Sequence, residues 1–519
     1  MADVLRPEAR PTGLGALRAS VLQGASIPVG SDQILVTGIA LHSGSVQPGD
    51  IYLALPGRQS HGARFAPEAI EAGAVAVVTD ASGEHMCGEL PIPVITVEHP
   101  RALSGPLSAA IYAWPARSLQ ILGVTGTNGK STVTAMVESG LRAAGMSCGA
   151  IGTVGTRIND TVHGSVRTTP EAPDLQATLG AMRDAGVQSV VMEVSSIAVD
   201  EHRVDGFRFD VMGFTNMSQD HLDYHADMDA YFEAKARLFT PEHAALGVVG
   251  IDDEYGRRLS REASVPVYTW SLADPAADWH ASAIRSSGPG HAVQVTGPRG
   301  ETAVLHVPLP GVFNVANALC AFGMLRASGV GIDAAVAGIG QAAIPGRMQV
   351  IGKAVGLEDG GLEDGGRGIW GIVDYAHTPD AIARVLEAAR EQVSGRLIVV
   401  LGAGGDRDAS KREVMGEVAA DRADVVIVTD DNPRSEDPVV IRRAIVRGAE
   451  RVARDRGISV LNVEDRAEAI SVAVTFARTG DIVMVLGKGH ETGQEVAGVV
   501  TPFDDAVVLA AALESGGSA

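Results

Sequence analysis

One ten-residue stretch limits what this chain can fold into more than any other: Gly123-Val124-Thr125-Gly126-Thr127-Asn128-Gly129-Lys130-Ser131-Thr132. The apolar run at 119–125 reads as a buried strand, and beyond the loop Val133, Met136, Val137, Leu141 and Ala144 fall on one face of a helix. A glycine-rich turn from strand to helix aims several backbone N–H groups at one spot beside the positive end of the helix, where a phosphate binds. Lys130 then reaches the outer phosphates of a nucleotide, and the Ser131 hydroxyl a Mg2+ ion. The string is not a strict P-loop, because Val124 stands where that pattern needs its first glycine. Such a unit commits the surrounding chain to an α/β fold with a mostly parallel sheet.

The rest of the chain repeats the alternation. Strands are expected at 189–194 and 210–215, each after a helical segment, which extends the phosphate-loop domain to about residue 344. Beyond Arg347 the pattern restarts with strands at 369–374, 397–402, 424–429 and 481–486, separated by helices, and predicts a doubly wound, Rossmann-like domain. Thr378-Pro379-Asp380 is a helix start: a hydroxyl N-cap, proline at the first helical position and an acid in the first turn. Short apolar runs at 74–79 and 94–97 indicate a small α/β domain ahead of the phosphate loop. A chain of 519 residues also exceeds what one core supports. Three domains follow, at 1–117, 118–344 and 345–519. The tandem Gly-Leu-Glu-Asp-Gly at 356–360 and 361–365 reads as a surface hairpin or loop.

Charge removes several classes of partner. A net charge of -21 without any run of Lys or Arg argues against nucleic acid and acidic membrane surfaces. It also gives weight to the isolated cations Lys130, Arg203, Arg347, Arg407 and Arg434, each of which sits in a motif. Cys87, Cys148 and Cys320 have no paired spacing, so neither a disulfide framework nor a cysteine zinc site is expected. No segment resembles a signal peptide or a membrane span, so a cytoplasmic protein is expected.

Other residues carry chemistry by position. Glu193 closes an apolar strand beside the phosphate loop, where a metal-holding carboxylate belongs. The polar segment from Asn216 to His225 also follows a strand end and can reach the same cleft. His221 and His225 have the i, i+4 spacing of a zinc pair, but Leu222 stands where a zinc protease needs Glu. The run Gly402 to Arg407 lacks the last glycine of a dinucleotide fingerprint, which argues against a nicotinamide cofactor.

Met192-Glu193-Val194-Ser195-Ser196, Asp220-His221-Leu222-Asp223-Tyr224-His225 and Glu233-Ala234-Lys235 resemble, in order and spacing, the signatures of the muramyl ligase family. The loop around Gly126 to Lys130 is similar to the one in these ligases and in folylpolyglutamate ligases. The resemblance implies three domains: an N-terminal UDP-sugar-binding domain, a central ATP-binding domain and a C-terminal Rossmann-like domain for the incoming amino acid. It implies an ATP-dependent ligase that forms an acyl phosphate and then an amide. ATP would be held by Gly126, Thr127, Asn128, Gly129, Lys130, Ser131 and Thr132, by Asn314 and Asn317, and by Arg347 and Asp374. Glu193, His221 and Ser131 would hold Mg2+, and Lys235 matches a lysine that the family carbamylates to N6-carboxylysine. Gly346-Arg347-Met348 resembles the family's domain hinge, and with Arg347 taken to lie across it from Asp374, in a separate domain, their site would be completed on closure.

On the substrate side, Thr168, Thr169, Ser195 and Arg203 match positions that hold a UDP-muramyl dipeptide, UDP-MurNAc-L-Ala-D-Glu. Asp431-Asn432-Pro433-Arg434 looks like the signature of a meso-diaminopimelate-adding branch, in which the arginine pairs with the distal carboxylate. Arg407, Gly487 and Glu491 match the remaining contacts, giving two arginines for carboxylates and an acid for an ammonium. The chain departs from the family at Ile197, where relatives usually have His, and at His42-Ser43-Gly44-Ser45, where His-Asp-Ser-Arg is usual. A monomer is expected. A lysine-adding relative and a nucleotide-binding regulator of weakened turnover are the alternatives.

Overall fold

The computed structural model describes residues 5–57, 60–164, 167–221, 224–287, 290–351 and 369–516. The Gly-Leu-Glu-Asp-Gly repeat lies outside the described residues, as do Leu222 and Asp223. Two compact units emerge: Met1–His280 with Thr296–Glu301 and Leu319–Ile339, and Ala281–Val295 with Thr302–Ala318 and Gly340–Ala519.

Two sheets of the first unit position the candidate site. One is four-stranded and parallel, in the order Gly38–Ala40, Asp50–Leu53, Ala76–Thr79, Val94–Thr96. Its strands alternate between two cores, with Ile51, Leu53 and Val78 on one face and Tyr52 and Val77 on the other. In the other sheet Gln120–Thr125 lies between Ser189–Glu193 and Val211–Phe214, all parallel. Cys148–Gly152 continues this sheet on one side, and Gly247–Gly250 and Val267–Ser271 on the other. The phosphate-loop strand is thus interior. Glu193 pairs with Val124 and Phe214 with Thr125, so three loops open side by side at the carboxyl edge, where ligands bind in open parallel sheets. The helix after the loop, Lys130–Ala143, buries Val133, Met136, Val137 and Leu141 as its spacing predicts. Ala144 does not join them: it is the exposed C-cap, because the chain turns away at Gly145 with φ of 77°.

The second unit holds a six-stranded sheet ordered Gln349–Ile351, Trp370–Asp374, Ile482–Leu486, Leu397–Leu401, Val425–Val428, Ser459–Asn462. All neighbours are parallel except the edge strand Gln349–Ile351. Leu397, Val399 and Leu401 enter one core with the helices Pro379–Gln392, Lys411–Arg422 and Pro438–Arg456. Ile398 and Val400 enter the opposite core with Arg466–Phe476. Burial on both faces explains why these strands are continuous apolar runs, and it makes the sheet doubly wound as expected. The predicted helix start holds: the Thr378 hydroxyl accepts the Ala381 N–H at 3.4 Å.

Arg347 and Asp374 do not lie in separate domains. Both belong to the second unit, because Gln349–Ile351 pairs antiparallel with Trp370–Asp374 and the Asp374 carboxylate accepts the Met348 N–H at 2.7 Å. Closure between domains is not what brings these two residues together.

Candidate active site

The phosphate loop is held open by its neighbour. Gly126 has φ of 142°, and a β-carbon there would lie 2.0 Å from Thr215 Oγ1. That hydroxyl donates to the Asn128 carbonyl at 2.7 Å, and the Asn216 side chain both accepts the Asn128 N–H and donates to the Asn128 carbonyl, each at 3.1 Å. The Thr127 N–H donates to the Asn216 carbonyl at 2.9 Å, while the Thr127 hydroxyl meets Tyr231 Oη at 3.2 Å. Gly129, at φ of 88°, then starts the helix. A loop with two glycines in left-handed backbone, locked from outside by Thr215 and Asn216, fits a phosphate without rearrangement.

Two lysines meet at this loop. Lys130 Nζ donates to the carbonyls of Gly126 at 3.0 Å and Thr127 at 2.8 Å, and Lys235 Nζ donates to the same Gly126 carbonyl at 3.0 Å. Lys235 is 1% exposed and lies 4.5 Å from the centre of the Tyr231 ring. Burial, and then the charge of Lys130, drive its pKa well below the ordinary lysine value, against a smaller pull from Asp220. Two ammonium groups sharing one carbonyl in a buried place is unfavourable, which is why the charged form of Lys235 is the one disfavoured.

Glu193 is 2% exposed at its strand's end. Its carboxylate accepts the Thr153 N–H at 2.8 Å and the Thr153 hydroxyl at 3.1 Å. The residues matched to the muramyl dipeptide join the same network. Thr168 Oγ1 meets Thr153 Oγ1 at 3.0 Å, the Thr169 hydroxyl donates to the Glu193 carbonyl at 2.9 Å, and the Ser195 N–H donates to Thr169 Oγ1 at 3.1 Å. Arg203 donates to the Thr169 carbonyl at 3.3 Å and pairs with Glu171 at 3.0 Å. Glu171 also pairs with Arg101 at 3.5 Å and with Arg167, and all three line a cleft of ≈ 400 Å³ together with Leu41, His42 and Ser43. His42 and Ser43 of the departing segment therefore border a cavity lined with two arginines and two glutamates, Glu68 and Glu171.

His221, at φ of 53°, is 40% exposed at its side chain, with its imidazole 3.6 Å from the Asp220 carboxylate and edge-on to Tyr231. The zinc reading of His221 with His225 fails on partners: His225 Nε2 meets Ser196 Oγ at 2.9 Å and Nδ1 faces Asp200 at 3.5 Å. Both of its nitrogens are engaged by the protein.

In the second unit Asn314 donates to the Pro310 carbonyl at 2.7 Å and accepts from Asn317 at 3.1 Å. Arg347 stacks over the Tyr375 ring at 4.7 Å. Burial raises the pKa of Asp374, although Arg347 and the N–H groups of Met348 and Ala376 oppose the shift. The residues matched to the amino acid form a second cluster. A β-carbon on Gly404 would lie 2.9 Å from Arg434 Nη1 and 3.9 Å from Arg407 Cγ, so the two arginines flank this glycine. Arg434, at φ of 52°, donates to the Gly405 carbonyl at 2.8 Å and faces Glu495 at 3.4 Å. Asn432 donates to Glu491 Oε2 at 2.7 Å, and Gly487, at φ of 117°, leaves room for Asp431, whose Oδ2 would sit 2.6 Å from a β-carbon there.

Reading the sequence missed Thr153, Arg101 and Lys488. Thr153 had no signal beyond a glycine pair around it. Lys488 stands between the two matched residues, in Gly487-Lys488-Gly489-His490-Glu491, but nothing marked it as buried.

The comparisons with known proteins agree in extent. Residues 35–112 match the model "Mur ligase family, catalytic domain", 124–325 the Mur ligase middle domain, and 346–489 "Mur ligase, glutamate ligase domain". A UDP-N-acetylmuramoyl-L-alanyl-D-glutamate--2,6-diaminopimelate ligase of Streptomyces coelicolor is 47% identical over 494 residues, covering 95% of this chain and 94% of the relative. One from Corynebacterium glutamicum is 46% identical, covering 96% and 95%. A solved structure of a ligase of the same name superposes with a TM-score of 0.70 at 30% identity, covering 98% of this chain and 100% of that one. A ligase of Thermotoga maritima in complex with ADP shares the fold, with a TM-score of 0.58 at 18% identity, covering 92% of this chain and 97% of that one. With family matches along most of its length and relatives of 46–47% identity covering it almost end to end, this protein belongs to the Mur ligase family of ATP-dependent ligases.

Proposed function

We propose that this chain joins meso-diaminopimelate to the γ-carboxylate of the D-Glu residue in UDP-MurNAc-L-Ala-D-Glu, a step of peptidoglycan synthesis in the cytoplasm, and acts as a monomer. The relatives named above carry this activity in their names. The observation that carries the reading is the pair Arg407 and Arg434 around Gly404, with Glu491 held beside Asn432. Two guanidinium groups and one carboxylate suit an amino acid with two carboxylates and an ammonium. L-Lysine has no second carboxylate for Arg434.

Residues 1–117 bind the UDP sugar in this reading, 118–344 bind ATP and 345–519 take the amino acid. Thr168, Thr169, Ser195 and Arg203 hold the dipeptide, and the arginine-lined cleft beside His42–Ser45 takes the anionic diphosphate. The γ-phosphoryl group of ATP passes to the D-Glu carboxylate, giving an acyl phosphate and ADP. The diaminopimelate amine, oriented by Arg407, Arg434, Asp431, Asn432, Gly487 and Glu491, attacks the acyl carbon, and phosphate leaves. Lys130 and the N–H groups of residues 126–132 stabilise the transferred phosphoryl, and orientation of the amine supplies much of the second step. Asn314, Asn317, Arg347 and Asp374 serve the rest of the nucleotide.

The oxygen donors suit a hard cation: Ser131, Glu193 and a carbamylated Lys235, with His221, would hold Mg2+, which supplies charge neutralisation on the phosphates. Carbamylation needs a neutral amine, and Lys235 is buried where its charge is disfavoured. Adding carbon dioxide turns its repulsion from Lys130 into attraction.

Phosphate release with ATP, Mg2+ and UDP-MurNAc-L-Ala-D-Glu, with product mass spectrometry, tests the whole reading. Turnover with meso-diaminopimelate and not with L-lysine is expected. Equal turnover with lysine would remove the role given to Arg434, and none with either would favour a regulator.

A further inference from the structure

Lys488 is the one side chain of its motif that is both charged and 0% exposed. Its ammonium donates to Gly493 O at 2.6 Å, Asn432 Oδ1 at 3.0 Å and Glu491 Oε2 at 3.2 Å. These acceptors come from three places in the chain: the loop after Val425–Val428, the loop after Ile482–Leu486, and the hairpin Gly493–Val496 with Val499–Pro502. A lysine ammonium has three donors and no acceptor, so this geometry uses it completely. A buried charge persists only where it is paired and hydrogen-bonded, so it fixes its partners as firmly as they fix it.

The consequences fall on Asn432 and Glu491. Because Lys488 can only donate, the Asn432 atom facing it must be the carbonyl oxygen, which also accepts the Glu495 N–H at 3.0 Å. The Asn432 amide nitrogen is thereby turned to Glu491 Oε2 at 2.7 Å. Glu491 Oε2 thus receives two donors from the protein, Lys488 and Asn432. Its other oxygen, Oε1, is the one left for the amino-acid ammonium in the reading above. The hairpin is drawn in by the same ammonium, and Glu495 on it faces Arg434 at 3.4 Å.

We infer that Lys488 is a positioning residue for the amino-acid substrate: it sets the amide orientation of Asn432, aims Glu491 Oε1 at the incoming ammonium, and anchors the hairpin that holds Arg434. This rests on the reading above that Glu491 and Asn432 take the amino acid. Lys488 itself touches no substrate.

The test measures KM for meso-diaminopimelate and for ATP in Lys488→Met, Glu491→Gln and the double variant. For Lys488→Met, KM for diaminopimelate should rise by about tenfold or more while KM for ATP moves less than about twofold. In the double variant the second substitution should add little, because both act on one network. Should Lys488→Met not accumulate as folded protein, Lys488→Gln, which keeps a donor for Gly493, carries the same comparison. Equal losses for both substrates, or full additivity in the double variant, would make Lys488 a structural residue only and overturn the inference. An unchanged KM for diaminopimelate in Glu491→Gln would instead overturn the reading of the pocket on which it rests.

Discussion

The phosphate loop and the amino-acid pocket solve opposite problems with different parts of the chain. In the reading proposed above, main-chain groups do the recognition at the loop: two glycines in left-handed backbone shape it, and Thr215 and Asn216 lock it through the backbone carbonyl and N–H of Asn128. In the pocket, side chains do it, and their charges are held in place by other charges: Arg434 by Glu495, and Glu491 by Lys488. A polyphosphate looks alike in every ligase of this kind, so a rigid backbone cradle serves. An amino acid must be told from its analogues, which needs removable, individually placed charges.

If that contrast is right, the largest single loss comes from one methyl group in the loop. Gly126→Ala forces a β-carbon to within 2.0 Å of Thr215 Oγ1 at φ of 142°, so the loop must deform. Turnover measured by phosphate release should fall on the order of 10³-fold, with an unchanged circular dichroism spectrum, since the transition state is stabilised by position. A loss below tenfold would mean that the loop tolerates a side chain and that backbone shape is not what recognises the nucleotide.

Lys235 tests whether the loop's electrostatics also matter. Lys235→Met should lower turnover by about 10²-fold, and removing carbon dioxide should slow the wild type, with bicarbonate restoring it, while leaving the variant indifferent. Stability gives an independent check. The folded pKa lies well below the ordinary 10.5, so between the two the unfolded chain binds the extra proton. In carbonate-free buffer the lysine's contribution to stability is therefore full above about 10.5 and is lost as pH falls toward the folded value. Lys235→Met should flatten that slope in chemical denaturation.

In the pocket, losses should be selective. Arg434→Ala should raise KM for meso-diaminopimelate by about 30- to 100-fold, as for losing a charge-assisted pair, and leave KM for ATP alone. A matching change in KM for ATP would erase the distinction between the two regions.

Much of this was legible in the sequence, but unevenly. Alternating apolar runs and the glycine loop place the sheets and the phosphate cradle, because period and backbone freedom are local properties. The doubly wound second unit follows because Leu397 to Leu401 is apolar at every position, which only a strand buried on both faces requires. The residues assigned to the amino acid came through resemblance, since Arg407, Asn432 and Glu491 lie on separate loops and no local pattern ties them together. Arg347 and Asp374 were assigned apart because Gly346-Arg347-Met348 resembles a domain hinge, whereas an antiparallel edge strand binds the two segments. Ala144 was misplaced because periodicity does not register where a helix stops. Lys488 was missed because burial of a polar residue is a property of the neighbours that surround it, and Thr153 because the carboxylate it holds, Glu193, is remote in sequence.

Thr153 offers the smallest and sharpest test of the comparison, because it belongs to the first unit yet acts through a side chain. Its N–H and hydroxyl both hold the Glu193 carboxylate, and the hydroxyl also meets Thr168. Thr153→Val keeps the shape and the N–H contact and removes only the hydroxyl. One hydrogen bond to a charged group is then lost, about 1.5–3 kcal/mol at most, and less here because the N–H still restrains Glu193. Turnover should fall roughly five- to tenfold, with the KM values for ATP and for the muramyl dipeptide both rising, because the hydroxyl bridges the two. A rise in only one KM would show that Glu193 and Thr168 are held independently. The first unit's recognition would then rest on its backbone alone, as the phosphate loop's does.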